Sequence, residues 1–440
     1  MSDQPPVSET LIQAPGRPRR RPLRAIRLPR RGPLSFLAVL GPGLIAANAG
    51  NDAGGIATYA SVGASFGYSL LWVMVLITVS LALVQEMAAR MGAVTGKGFS
   101  ELVREQMGIR AAAFVMGTLL VANAGLIVSE FAGIGAAAEL FGISRYVAVP
   151  PVALLVWWLV TRGSYQRVEK VFLVLTLAFF AYPVAAILAR PDWGEVGSQL
   201  VRPSFRLDAD YITLFIAMVG TTITPYMQLY IQSSVAERGA GADTTAAKVD
   251  AYFGSVFADL ISGFIIIATG ATLFVAGQQI ETAADAARAL RPFAGPYAQI
   301  IFGAGLFGAS MLAAAVLPLA TSYTVTEAFG FEKGVSRTFR EAPVFLGLFT
   351  GLIVFGAAVA LLPGLNVIEL LVFTQVLNGL LLPVVLISIL RLVNDPDVMG
   401  SHTNGRFYNL VAWATVAGVV LLSSIYLLIT VLGLFGIEVG

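Results

Sequence analysis

Eleven long apolar runs punctuate the chain, and no other feature constrains its fold more. Their approximate limits are 35–62, 68–91, 112–142, 147–162, 169–189, 210–235, 246–276, 297–328, 343–362, 366–391 and 408–435. A spanning helix needs about 20 mostly apolar residues, so each run is a candidate crossing. The third, seventh and eighth are longer than that and predict tilt or extension beyond the bilayer, while the fourth is short. Too little chain lies between the runs to build a soluble domain. With 57% hydrophobic and 12% charged residues, the expected fold class is an all-α, multi-pass membrane protein whose solvent is the lipid bilayer. It is expected to act as a monomer and to have no nucleic-acid partner.

The basic residues set an orientation. Arg17, Arg19, Arg20, Arg21, Arg24, Arg27, Arg30 and Arg31 crowd a Pro-rich stretch before the first run, which reads as a disordered tail on anionic lipid. Of the 28 Lys and Arg residues, 22 fall in that tail or at the ends of runs two, four, six, eight and ten, and 6 lie on the other side. By the positive-inside rule the N-terminus is cytoplasmic. Eleven crossings then put the C-terminus outside a plasma membrane. Cysteine is absent and histidine occurs once, so a metal site must be built mainly from oxygen.

The first run carries its only acid, Asp52, in the middle. The stretch from Gly41 to Gly55 also holds five glycines and a proline, which weaken a continuous helix and free backbone carbonyls. An ionised carboxylate near the bilayer centre costs at least ~2.5 kcal/mol on insertion scales. Broken helix and buried acid together point to a cation site; the alternative is an Asp satisfied by a neighbour within a packed kink. The sixth run is interrupted too, in Gly220-Thr-Thr-Ile-Thr-Pro-Tyr-Met-Gln228. Pro225 removes a helix hydrogen bond, leaving carbonyls near Thr221 and Thr222 without their partners. Interruptions in corresponding members of two five-helix halves point to a midplane site in an inverted-repeat transporter. The third run adds Ser129-Glu130, either a ligand for hydrated metal or a neutral or paired carboxyl in the bundle. The Gly- and Ala-rich stretches Gly125–Ala138 and Gly303–Ala315 read as packing faces without chemistry.

From about Leu34 to Phe435 the chain resembles the Nramp family of divalent-metal transporters. Gly41-Pro-Gly43, Gly67-Tyr-Ser-Leu-Leu-Trp72, Ala88-Ala-Arg-Met-Gly-Ala-Val-Thr-Gly96 and Gly220-Thr-Thr222 are similar to that family's flanks. The resemblance implies a LeuT-type fold, two inverted five-helix repeats with helices one and six broken and an eleventh helix appended. The division expected is tail 1–33, first repeat 34–190, second repeat 191–392, and loop with eleventh helix 393–440. It also implies alternating access of a central metal. The family's Asp-Pro-Gly-Asn stands here as Asp52-Ala-Gly-Gly55, and its Met-Pro-His as Thr224-Pro-Tyr226. Thr224 would replace a soft sulfur with a hard oxygen, and Gly55 would remove an amide ligand and widen the site. Both suit Mg²⁺, which keeps its waters, with Mn²⁺ tolerated. That pattern resembles a divergent magnesium-transporting branch.

By the same resemblance Gln375 approaches the metal and Asn378 shares its face, although interhelical hydrogen bonding would also explain both. The carbonyls of Ala49 and Thr221 are further candidates, and Tyr226 stands where the motif histidine would be. Gln232 replaces a second histidine, so no histidine relay crosses the membrane, and uptake without tight proton coupling is expected. Asp250, Asp259 and Glu86 remain as acids that could relay protons, although Glu86 and Arg90, four apart, predict an ion pair. The metal is substrate, and no cofactor is expected. Two other transporter readings stay open: a proton-coupled Mn²⁺/Fe²⁺ carrier and a Na⁺-coupled LeuT-fold symporter for small organic substrates. A receptor would need cytoplasmic additions that the chain lacks, and no nucleophile–base pairing, Walker loop or dinucleotide fingerprint supports an enzyme.

Overall fold

The computed structural model describes residues 51–161, 177–236, 241, 244–332, 334 and 337–435. The basic tail, the flank Gly41–Gly43, the Ala49 carbonyl and the start of the fifth run lie outside the described residues. Among the described residues there is no β-strand. Helix α1 spans Ala53–Phe66, α2 Leu71–Thr95, α3 Phe99–Glu139, α4 Arg145–Thr161, α5 Ala181–Leu188, α6 Trp193–Val201 and α7 Ala209–Thr222. They are followed by α8 Pro225–Ala236, α9 Thr244–Thr269, α10 Ala298–Phe329, α11 Pro343–Ala360, α12 Val367–Val393 and α13 Arg406–Leu434. Taking α7 and α8 as one interrupted span, eight helical stretches are long and apolar enough to cross a membrane. The described parts of runs one, four and five are shorter: 14 residues in α1, 17 in α4 and 8 in α5.

Local chemistry explains the boundaries that matter. Asp52 is the N-cap of α1, and its carboxylate accepts from the Gly55 amide, which satisfies one of the donors a helix start leaves open. Asp208 caps α7 in the same way through Tyr211. The third run starts earlier than its hydropathy predicts, at Phe99. Gly108, at φ 81° and ψ 171°, separates residues 99–107 from the spanning part of α3, a conformation open to glycine at little cost. Pro225 opens α8, where a missing amide costs nothing. Ile223 and Thr224 are the non-helical link between α7 and α8.

The bundle is apolar outside and polar within, as lipid requires. Leu410, Leu421 and Leu428 of α13 are exposed, whereas Asp52, Glu130, Gln375, Asn378 and Asp259 are buried. The central layer is made by α1, α3, α7, α10 and α12: α10 and α12 pack on α3, and α7 packs on α12. α9 lies against α2 and α1, and α13 flanks α12 and α7.

The expected Glu86–Arg90 pair is present at 3.0 Å and is largely buried. Arg90 also donates to the His402 carbonyl and, at 2.5 Å, to Asn404 Oδ1, so one guanidinium ties α2 to the loop before α13. Arg90→Ala is expected to cost about 1.5–3 kcal/mol, the scale of hydrogen bonds to a charged group. A lowered unfolding midpoint in a detergent thermal-shift assay checks this, with Arg110→Ala, on the exposed part of α3, as the neutral comparison.

Candidate metal centre

Two interruptions in regular hydrogen bonding, at the start of α1 and between α7 and α8, meet helices α3 and α12 in the bundle, and the candidate ligands lie on these four. At the start of α1, Asp52 is 2% exposed. Its Oδ1 accepts from the Gly55 amide at 2.7 Å and from Gln375 Nε2 at 3.3 Å. Both donors go to the same oxygen, and Oδ2 has no partner. The carboxylate is therefore oriented through one oxygen and offers the other. A helix start carries roughly half a positive charge, which repels a cation; the full negative charge of Asp52 at that position outweighs it.

The end of α7 works in the opposite sense, because its terminal carbonyls are the negative end of the helix. The Thr224 hydroxyl donates to the Thr221 carbonyl at 2.6 Å. This corrects the expectation that the Thr221 carbonyl is left without a partner. Pro225 cannot supply the amide that would have reached it, and the Thr224 hydroxyl takes that place. A carbonyl has a second lone pair and the hydroxyl two of its own, so neither oxygen is used up. The Thr221 hydroxyl has no partner of its own.

α12 provides Gln375 and Asn378, both fully buried. Asn378 Nδ2 donates to Gln375 Oε1 at 3.2 Å, which leaves Asn378 Oδ1 unpartnered. Both amides make interhelical or local hydrogen bonds, but one amide oxygen is left over. Gly54 packs directly under Gln375: a Cβ there would overlap the Gln375 amide and stand 2.8 Å from Ser129 Oγ. Gly55 contributes its amide to Asp52. Tyr226 is 4% exposed and shares the electrostatic surroundings of Asp52 and Glu130.

Glu130 of α3 is fully buried, and neither of its oxygens has a hydrogen-bond partner. The Ala53 amide and the Ser310 hydroxyl lie close to its carboxyl, and Asp52 is near enough to act on its charge. Ser310 is on α10, inside the stretch Gly303–Ala315, to which the sequence reading assigned no chemistry. Ser310 is the one polar group that this packing run brings near the acid. The signal was the single polar residue in the run. Gln228 was also passed over as a site residue; it is 1% exposed, with both ends of its amide unpartnered. Among the described residues no three His, Cys, Asp or Glu side chains converge on one point. A cation held here would rest on one or two carboxylates, with hydroxyls, amides, carbonyls and its own water completing the shell.

The family model described as Nramp, natural resistance-associated macrophage protein-like, matches residues 43–430. The chain belongs to the Nramp family. Among its Nramp relatives, the divalent metal cation transporter MntH of Deinococcus radiodurans is 27% identical over 427 residues, covering 92% of each chain. MntH of Yersinia pestis is 28% identical over 426 residues, covering 94% of this chain and 98% of the relative. A solved manganese transporter from Eremococcus coleocola superposes with a TM-score of 0.71 at 20% identity, over 93% of this chain and 90% of that one. The inward-facing structure of Mhp1 gives a TM-score of 0.56 at 18% identity, over 89% and 88%. At these identities the two structures speak for the fold, which is LeuT-type. The chain is thus a multi-pass membrane transporter of the Nramp type.

Proposed function

We propose that the protein moves divalent cations, Mg²⁺ foremost and Mn²⁺ as well, by alternating access at a midplane site, without tight proton coupling. The ion stays partly hydrated. Asp52 is the charged ligand, with Thr224, Thr221, Asn378, Gln375 and Glu130 supplying oxygen directly or through water. Gly55 and Tyr226 border the same position, and the Ala49 carbonyl, outside the described residues, is a further candidate ligand. The observation that carries this reading is the free Oδ2 of Asp52, beside a link where the family's methionine and histidine are Thr224 and Tyr226. Hard oxygen donors in small number suit an ion that dehydrates reluctantly. The N-terminus is cytoplasmic in this reading, and transport is inward across the plasma membrane. A membrane potential of ~100 mV gives a divalent ion about 4.6 kcal/mol, enough for accumulation of more than roughly a thousandfold.

A second reading is a proton-coupled Mn²⁺/Fe²⁺ carrier. It is supported by the MntH relatives and by Glu130, a buried acid without a partner that could carry a proton. Proteoliposomes with an inside-negative potential and internal Mg²⁺ and pH dyes separate the two. Saturable Mg²⁺ uptake with a silent pH dye is expected. Mn²⁺ uptake with lumenal acidification and no Mg²⁺ signal would sink the magnesium proposal in favour of the coupled carrier. In the same assay Thr224→Met, which restores a soft ligand, is expected to shift the Mn²⁺-over-Mg²⁺ preference by about tenfold. An unchanged ratio would mean that residue 224 does not contact the ion.

A further inference from the structure

α9 carries a polar stripe that the central site does not use. Ser255, Asp259 and Ser262 lie at helical spacing on its buried side and face α2 and α1. Asp259 is 6% exposed, its Oδ2 has no hydrogen-bond partner, and no ion pair among the described residues includes it. A carboxyl so placed is kept either by a proton or by a cation. What surrounds it is oxygen. The Thr78 hydroxyl of α2 is beside it. The Tyr59 phenol of α1 lies near Ser262 and Asp259; it is held by a 2.7 Å hydrogen bond with Thr222 of α7. One turn along α9, Ser262 donates to Asn51 Oδ1 at 3.1 Å, next in sequence to Asp52.

Ser262, one turn from Asp259, thus touches the residue before Asp52, which brings the two buried carboxylates into one polar region. α1 and α9 run side by side in the same direction, with Ser262 at Asn51 and Ile266, Thr269 and Gly270 at Gly63, so Asp259 lies near the level of Asp52. We propose that Asp259, with Thr78, Tyr59 and Ser262, forms a second position for a hydrated divalent cation. It stands beside the Asp52 site, at about the same depth in the bundle. Two modest neighbouring sites let an ion be held without being trapped, which is how multi-site pathways combine binding with release. The oxygen-only surroundings suit a hard cation that keeps part of its water. This proposal rests on the divalent-cation reading above but not on the choice of Mg²⁺ over Mn²⁺.

The test uses the full-length protein in lipid nanodiscs, with Mn²⁺ as the probe followed by electron paramagnetic resonance, alongside Mn²⁺ uptake in proteoliposomes. Asp259→Asn keeps the shape of the side chain and is expected to raise the KM for Mn²⁺ by about tenfold or more, with Vmax largely retained. Asp259→Glu should recover part of the loss. Asp52→Ala should abolish uptake yet leave weak residual Mn²⁺ binding, which vanishes when Asp259→Asn is added. Ser262→Ala, one turn away, gives a milder rise in KM and guards against a folding artefact at 259. An unchanged KM in Asp259→Asn, or residual binding indifferent to residue 259, would overturn the proposal. So would unchanged Mn²⁺ binding with altered pH dependence of uptake, which would make Asp259 a proton carrier. Failure of the unmodified protein to bind or move Mn²⁺ or Mg²⁺ would instead defeat the divalent-cation reading itself.

Discussion

Asp52→Ala is expected to lower divalent-cation uptake by at least about a hundredfold, a loss of ~2.8 kcal/mol. A direct carboxylate–cation contact in a low-dielectric interior is worth more than that. The substitution removes two functions at once, because Oδ1 caps α1 through Gly55 and receives Gln375, while Oδ2 is the oxygen on offer. Loss of an N-cap alone costs about 1 kcal/mol. Asp52→Asn separates the two. Its amide oxygen can keep the cap, so the protein should unfold at nearly the unmodified temperature, while the lost charge should still stop uptake. Initial rates in proteoliposomes, with a thermal-shift assay on both variants, check this. Uptake by Asp52→Asn within tenfold of the unmodified protein would mean that the charge at residue 52 is not what holds the ion.

The second large effect is structural. Gly220 on α7 and Gly379 on α12 let two backbones cross in direct contact. A Cβ on Gly220 would overlap the Gln375 carbonyl and the Gly379 backbone, and one on Gly379 would stand 2.6 Å from the Ile216 carbonyl. Backbone has no rotamer to give, so Gly220→Val must force α7 and α12 apart. Overpacking of a tight core costs about 1–3 kcal/mol even where side chains can move, and here more is expected. The displaced elements are those that carry Thr221 and Gln375, so transport should be lost together with stability. The readout is the yield of monodisperse protein on size exclusion and its unfolding midpoint. Gly418→Val on α13, where a Cβ meets nothing within 4 Å, should change stability by no more than about 0.5 kcal/mol. Equal behaviour of the two variants would mean that the α7–α12 crossing is not tight.

Much of the architecture is legible along the chain because the bilayer applies a one-dimensional rule. Every spanning segment must be helical and apolar over about 20 residues. The runs that became α2, α9, α10, α11, α12 and α13 followed from that, with only their ends displaced. α3 shows the limit of the rule. Residues 99–107 are helical but not apolar enough to register, and Gly108 separates them from the span. The break at Pro225 was legible for an equally local reason, since an imino acid lacks a donor wherever it is placed. Asp52 stood out because a charge in an apolar run is costly in every fold.

The partners of those residues were not legible. The Thr224 bond to the Thr221 carbonyl is local, but hydropathy does not report the rotamer that makes it. That Gln375 joins the Gly55 amide on one oxygen of Asp52, and that Glu130 is buried with neither oxygen partnered, depend on helices far apart in the chain. The same holds for Asp259, whose neighbours come from α1 and α2. By itself the sequence determined the class, the spans and the places where helices must break, because hydropathy and missing donors belong to residues one at a time. Only the tertiary structure decided which buried oxygens are spent on holding the fold and which are left for an ion. A hydrogen bond needs two groups within about 3 Å, and that distance is set by packing across the bundle.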